Sequence, residues 1–410
     1  MGLYCGIDWA ADHHDVAVID DTGVVVTRGR VDHNAAGLAR LLMLLAEAGD
    51  SADHRIPVGI ETDHGLWVAA LRETGRTIYP INPLAASRYR ARYAVSGAKS
   101  DATDAVLLAN IVRTDPSAHR PLPADTELAH AIRVLARAPQ DAVWARQQIG
   151  NQIRDLLKDF DPAALVAFAG LPSSGLARAD ARTILAAAPT PAQAATLTPA
   201  RLRRLLTKAG RRRDLDRDVA RLRDVFTDTY PHQPPAVEQA MGIQLTALLG
   251  QFEATRTAAE QLAEAAIAHF ERHPDAKTIT SFPGLGNLTG ARVLAEIGDD
   301  RTRFADARGL KAFAGSAPIT RASGKKTVVL HRHIKNRRLA AIGPIWALSS
   351  LRASPRARRH FDARRAAGDW NHQAQRHLFN KFLGQLHHCL HTEQHYNKHQ
   401  AFPPPLKSAA

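Results

Sequence analysis

Cysteine is almost missing from this chain. Cys5 and Cys389 are its two thiols in 410 residues, too few for a disulfide framework or a four-thiolate zinc site. That scarcity points to a reducing, cytoplasmic compartment. No apolar run approaches the roughly 18 residues that a membrane span requires. The first residues, Met1 to Asp8, lack both the basic start and the apolar stretch of a secretory signal. Acidic residues are in deficit: 40 Asp and Glu stand against 54 Lys and Arg, a formal charge of +14. A pI near 10.2 favours a polyanionic partner, most simply nucleic acid, over a plain bias towards arginine and alanine. What is present is globular. The 45% of hydrophobic residues can fill real cores, which excludes wholesale disorder, and the length suits two or three domains.

The first segment alternates between strand and helix patterns. Strands are expected at Leu3 to Ile7, Val16 to Ile19, from Val24 onward, at Ile56 to Ile60 and at Thr77 to Ile81. Helices are expected after a cap at Asn34, with Leu38, Leu41, Leu42 and Leu45 on one face, and through Leu66, Val68 and Leu71. The order β-β-β-α-β-α-β is that of an RNase H-like α/β fold. From about Asp101 to His273 the periodicity is helical, broken around Pro189, Pro191 and Pro199 and again at Tyr230 to Pro235. Leu245, Leu248, Phe252, Thr255, Ala259, Leu262 and Ala266 recur in steps of three and four, a heptad-like seam. That seam predicts either a dimer contact or a helix packed on its own chain.

Four acidic residues stand out by position. Asp8 closes the first strand and Glu61 the fourth. Asp101 and Asp104 lie three apart at the start of a helix, hence on one face. If the first and fourth strands are neighbours, Asp8 and Glu61 emerge at one edge and the Asp101/Asp104 helix can complete the set. Carboxylates at that density repel unless hard cations separate them, which suits Mg²⁺ or Mn²⁺ and two-metal phosphodiester chemistry. Any one of them alone would read as a solvated turn or cap. Asp63, just beyond Glu61, reads as solvated.

The blocks Gly6-Ile7-Asp8, Ile60-Glu61-Thr62, Ile81-Asn82-Pro83 and Lys99-Ser100-Asp101-Ala102-Thr103-Asp104-Ala105 together resemble the DEDD RuvC-like domain of the insertion-sequence recombinases of the IS-one-ten and IS-eleven-eleven group. The resemblance implies that Asp8, Glu61, Asp101 and Asp104 bind catalytic Mg²⁺. Trp9 departs from the small residues usual after the first aspartate. Further on, Pro283-Gly284-Leu285-Gly286, then Phe313-Ala314-Gly315-Ser316-Ala317-Pro318, then Ser323-Gly324 resemble that group's C-terminal transposase domain. There the nucleophile is the serine five residues beyond the proline, which is Ser323 here. Ser316 stands where the group usually has leucine.

Gly284 and Gly286 precede a helix through Val293 and Leu294, in the manner of a helix-hairpin-helix turn whose backbone N–H groups can grip a phosphate. Lys325, Lys326, Arg332, Lys335, Arg337 and Arg338 crowd around Ser323 and suit phosphate neutralisation. Arg352 to Arg365 make a basic helix near Phe361 and Trp370, either a nucleic-acid face or a solvated one. His387, His391 and His395 share a helix face without the partners of a zinc site.

The expected division is a RuvC-like catalytic domain over 1–120, a helical linker or dimerisation region over 121–275, a mainly α C-terminal transposase domain over 276–395 and a disordered tail over 396–410. The resemblance implies a DNA transposase that cuts and rejoins DNA through a Mg²⁺-assisted serine–phosphodiester intermediate. It also implies a structured guide RNA encoded by the element and a homo-oligomer. Two other readings stay open. One is a RuvC-like two-metal endonuclease acting on branched DNA, with Ser323 structural. The other is a non-catalytic nucleic-acid-binding protein.

Overall fold

The computed structural model describes residues 2–93, 101–168, 175–324 and 326–402. The chain divides into two compact units, one ending at Ala124 and the other beginning at Asp125.

The first unit is mixed α/β. Its strands are β1 (Leu3–Trp9), β2 (His13–Asp20), β3 (Val25–Asp32), β4 (Val58–Ile60) and β5 (Ile78–Pro80), and its helices are α1 (Ala35–Ala48), α2 (Leu66–Glu73), α3 (Pro83–Tyr93) and α4 (Asp101–Thr114). The sheet order is β3-β2-β1-β4-β5. The first three strands form an antiparallel meander, while β4 and β5 run parallel to β1. Asn34 caps α1 by accepting the Gly37 N–H, and Gly49 ends it in the left-handed conformation. On one face, Leu41, Leu44 and Leu45 of α1 and Trp67, Val68 and Leu71 of α2 cover Ile7, Val18 and Ile60.

The strands of the meander are longer than hydrophobic alternation suggests. They extend through His13, His14 and Asp15 on β2 and through Arg28 and Arg30 on β3. Backbone pairing continues where the side chains turn polar, because Arg30 closes on Asp15 with a 2.9 Å ion pair.

The other face of the sheet is set by a glycine pair. Gly6 of β1 and Gly59 of β4 are in register, and α4 lies across them. A Cβ on Gly6 would overlap the Ala105 carbonyl oxygen and the Ala109 nitrogen, and one on Gly59 would press on the Leu108 carbonyl. Backbone on backbone cannot yield as a flexible side chain can. Gly6→Ala is therefore expected to destabilise this unit by about 3 kcal/mol or more, read as a lower urea midpoint. An unchanged midpoint would mean that α4 does not seat on the sheet.

The second unit is helical apart from one hairpin. Its elements are α5 (Glu127–Phe160), α6 (Pro162–Ala167), α7 (Ala179–Ala187), α8 (Pro191–Ala195), α9 (Pro199–Lys208), α10 (Leu215–Thr227), α11 (Pro235–Glu271), α12 (Ala276–Thr280), α13 (Asn287–Ile297), α14 (Ala307–Phe313), β6 (Ile319–Ser323), β7 (Lys326–Leu330), α15 (Arg337–Ala353), α16 (Pro355–Ala366), α17 (Asn371–His391) and α18 (Lys398–Ala401). The prolines that interrupt the helical pattern take the first positions of α8, α9 and α11, where the missing N–H costs nothing.

The helices α5 and α11 pair antiparallel along a length of about 50 Å and connect two cores. Leu156, Leu157 and Phe160 meet Leu245, Leu249 and Phe252 in one. Ile132 and Ala136 meet Ala266 and Phe270 in the other, beside Phe282, Trp346 and Phe382. The heptad-like seam is thus covered by α5 of the same chain. Leu245 is fully buried and Phe252 nearly so, so neither is available for the dimer contact that the seam allowed. The tail also departs from expectation. Ala401 and Phe402 belong to the C-terminal core with Tyr396 packed against it, so residues 396–402 are part of the fold. Residues 403–410 lie outside the described residues.

Candidate active site

The first group of residues sits at one edge of the first unit's sheet. Ile7 of β1 pairs with Ile60 of β4 in parallel, so the next residues, Asp8 and Glu61, leave the ladder side by side. On its other side Asp8 stays in register with Asp15 of β2. Helix α4 runs antiparallel to β1. Its last turn meets the Asp21–Gly23 turn, where Arg113 donates to the Asp21 carbonyl at 3.0 Å, and that turn lies at the beginning of β1. Its first turn, with Asp101 and Asp104, therefore lies at the Asp8/Glu61 edge.

Asp104 is buried, 5% exposed, and already holds a cation. The Arg90 guanidinium of α3 donates to its Oδ1 at 2.6 and 3.1 Å. The side chain of Asp101 lies outside the described residues. Among the described residues, no three His, Cys, Asp or Glu side chains stand in ligating geometry. The donor set is nevertheless of the right kind for a hard divalent ion: Asp8, Glu61 and Asp104 supply only carboxylate oxygens. The guanidinium bound to Asp104 marks the demand for positive charge at this edge. Asp63 is exposed and paired with His64 at 2.8 Å.

Sequence reasoning did not find the aromatic brace beside Asp8. Trp9 stacks on His14 at 4.8 Å, and His14 meets Trp67 at 4.3 Å and His33 at 5.0 Å between ring centroids. His14 is fully buried. Its Nδ1 accepts the Ala10 N–H, and its Nε2 lies 2.8 Å from His33 Nδ1. Burial first, then His33 and His13, push its pKa down to about 4, against a smaller upward pull from Asp15. The ring is thus a neutral strut that holds the chain as it leaves Asp8. Trp9, the departure from the family pattern, was the available signal.

Ser323 lies in the second unit. It is the last residue of β6 rather than part of an open loop, and it faces Lys326 across the antiparallel pair. Gly324 takes φ +56° at the turn. Every residue from Thr320 to Leu330 that is described is exposed, including Val328 and Val329. The serine therefore stands near the tip of an arm that its own unit does not cover.

The basic neighbours divide by what holds them. Lys326 and Arg337 are exposed. Arg332 donates to the Ala317 carbonyl, and Lys335 Nζ donates to His331 at 2.8 Å. Arg338 is engaged by both oxygens of Asp141, at 2.7 and 2.9 Å, and lies over Trp144. Lys325 lies outside the described residues. Gly284, at φ +84°, packs against the Ser349–Ser350 backbone of α15, whereas Gly286, at the cap of α13, faces open space. Of the aromatics in the basic helix region, Phe361 is buried and Trp370 is 69% exposed. His387 and His391 stack, and their ring nitrogens meet backbone carbonyls of Phe304, Arg301 and His387.

The root of the arm is fixed by a polar joint. Asn336 caps α15 through Leu339, donates its backbone N–H to the Phe313 carbonyl, and donates Nδ2 to Glu296 at 2.7 Å. Glu296 is buried and also takes both arms of Arg137 at 2.8 Å. Burial pushes its pKa up, but Arg137, Asn336 and Arg338 outweigh that and hold it below the usual range.

Comparison with known proteins places this arrangement in a class. Residues 5–162 match a family model described as transposase, of the DEDD type found in IS110. Residues 276–362 match the model described as "Transposase IS116/IS110/IS902 family". A Streptomyces coelicolor protein named "Mini-circle putative transposase for IS117" is 58% identical over 410 residues, covering 100% of this chain and 99% of that protein. An uncharacterized protein of insertion element IS110, also from Streptomyces coelicolor, is 29% identical over 397 residues, covering 91% of this chain and 90% of its own length. A Sinorhizobium fredii protein named "Putative transposase y4uE" is 34% identical over 163 residues, 40% of this chain and 45% of that protein. The class is that of transposases, enzymes that cut and rejoin DNA. Within it, this chain belongs to the IS110 family. Among the described residues no helix is long and apolar enough to cross a membrane.

Proposed function

We propose that the protein moves an insertion sequence by serine-mediated strand transfer. Ser323 is the nucleophile, and Asp8, Glu61, Asp101 and Asp104 are the metal ligands. The observation that supports this reading is the combination of two features: strand and helix ends bearing Asp8, Glu61 and Asp104 at one edge of a sheet of order β3-β2-β1-β4-β5, and a serine at the tip of an uncovered hairpin. The Ser323 Oγ forms a new bond to phosphorus as the strand's own ester oxygen leaves and takes a proton. A hydroxyl of the incoming strand then attacks the phosphoserine diester, and Ser323 regains its proton. One phosphodiester is exchanged for another, so no external energy source is required.

Bound Mg²⁺ or Mn²⁺ would supply positive charge to the phosphate and its oxygens. Asp8, Glu61 and Asp104 would hold it, Asp104 through the oxygen that Arg90 leaves open. Lys326 and Arg337 offset phosphate charge near the serine. The partner is DNA, and a structured guide RNA would relieve the protein of base reading, in keeping with a positive charge spread over many arginines. The uncovered arm supports a homo-oligomer, since a two-stranded hairpin alone is marginal.

The test is the product of the reaction. The protein with donor and target DNA in Mg²⁺ is expected to yield joined strands, and EDTA is expected to abolish them. Cleaved ends carrying phosphate and hydroxyl, with no joining, would instead establish the two-metal endonuclease.

A further inference from the structure

A cavity of 160 Å³ lies at the root of the β6–β7 arm. Its polar wall comes from three stretches of chain: Gly315 and Ser316 before β6, His331 and Lys335 after β7, and His372 and Arg376 one helical turn apart on α17. Among the described residues no acidic side chain lines it. Ser316 is buried and donates its hydroxyl to Asn380 Oδ1 at 2.8 Å. Gly315 stands at φ +71°, and a Cβ there would overlap the Lys335 stem, so the glycine lets that stem cross the wall. Lys335 Nζ donates to His331 Nε2, which places the ring proton of a neutral His331 on Nδ1. Loss of water against the cavity wall, with Lys335, His333 and Arg376 nearby, holds His331 below its ordinary pKa. Arg376 has no hydrogen bond or ion pair among the described residues. Two full positive charges, Lys335 and Arg376, thus line one cavity whose described wall has no carboxylate. The nearest acidic influence on Arg376 is Asp369, outside the wall and itself paired with Arg364.

The geometry points to a phosphate pocket that holds one backbone phosphate of the nucleic-acid strand lying along the arm. The volume is about five waters' share of liquid, room for a tetrahedral phosphate with a water or two. A guanidinium and an ammonium over such a group make charge-assisted hydrogen bonds, and the guanidinium can do so bidentately. β6 spans four residue steps, about 13 Å. At about 3.4 Å of rise per nucleotide, a phosphate at the root lies about four nucleotides from one at Ser323. The pocket would fix the strand's position before the chemistry, without reading bases.

This inference rests on the reading that the Ser323 arm meets nucleic acid, and the experiment separates the two. Binding of the full-length protein to a labelled DNA duplex and to one of its single strands is measured by anisotropy over a salt series. Arg376→Gln is expected to flatten the slope of log affinity against log salt by about 0.9 with duplex or about 0.7 with single strand, the share of one phosphate. Lys335→Gln should give the same change. Arg40→Gln, on the exposed face of α1, is the charge-matched control and should not. Parallel melting curves establish that each variant is folded. DNA binding with an unchanged slope in both pocket variants overturns the pocket. If inorganic phosphate raises the parent's melting temperature but not that of Arg376→Gln, while the slopes agree, the ligand is free phosphate and the nucleic-acid assignment falls. A parent protein that binds neither duplex nor single strand overturns the arm reading and this inference with it.

Discussion

Ser323→Ala protein is expected to bind nucleic acid as the parent does and to yield no joined product, a loss on the order of 10⁴-fold or more. The substitution removes the attacking oxygen and almost no volume. Ser323 is exposed at the end of β6, and its partner across the ladder, Lys326, is held by backbone bonds that alanine retains. The change in strand propensity is below about 1 kcal/mol, so the fold should survive. Trapping the parent on a nicked substrate, followed by mass spectrometry, should place a phosphate adduct on Ser323. Ser281→Ala is the matched control. Its hydroxyl donates to the Thr278 carbonyl and accepts the Tyr396 N–H, so its loss should cost about 1 kcal/mol of stability and little activity. An adduct on Ser316 would move the nucleophile to the arm's root. Full strand transfer by Ser323→Ala protein would remove Ser323 as the nucleophile, and cleavage without joining by it would return the reading to two-metal hydrolysis.

The second large effect lies at the sheet edge. Asp8→Asn, Glu61→Gln and Asp104→Asn are each expected to lower strand transfer on the order of a thousandfold, about 4 kcal/mol at 1.4 kcal/mol per factor of ten. Nucleic-acid affinity should change little. The three are not equal in stability. Glu61 is half-buried at the strand end, and its neutral form costs the fold little. Asp104 is buried against Arg90, with the Arg90 side chain 24% exposed, so Asp104→Asn should also lose about 1–3 kcal/mol. Comparing urea midpoints with rates separates the two consequences. Full activity in Asp8→Asn protein would remove the carboxylate edge from the mechanism.

Arg90 gives Asp104 two possible partners. Both Arg90 contacts fall on Asp104 Oδ1, so a metal bound there would use Oδ2 or displace the guanidinium. The pair lies 14 positions apart in the chain, on α3 and α4. No spacing rule singles Arg90 out among Arg88, Arg90 and Arg92.

Much of the first unit was legible because its signals are local. Alternating apolar residues, the Asn34 cap and the Gly49 stop act over a few positions, and they define strands and helices wherever those elements finally pack. Strand ends were less legible. His13, His14 and Asp15 look like loop residues until β1 and β3 supply their backbone partners and Arg30 pairs with Asp15. The side-by-side exit of Asp8 and Glu61 needed one fact from outside local pattern, that β1 and β4 are neighbours.

By itself the sequence determined the nature of the parts: a basic chain, an α/β segment with acids at its strand ends, a helical remainder, and a serine set in a glycine- and lysine-rich stretch. Each follows from residue type and short-range periodicity. The tertiary structure alone decided which surfaces those parts face. A seam of leucines says that a helix will be covered, but not by what; here α5 covers α11 because both present apolar faces at matching lengths. The tail folds because Phe402 finds a place beside Phe382. The pocket at the arm's root exists only because residues 315, 335 and 376, far apart in the chain, are brought to one cavity. Which charges share a wall is a property of neighbours in space, and chain order does not list them.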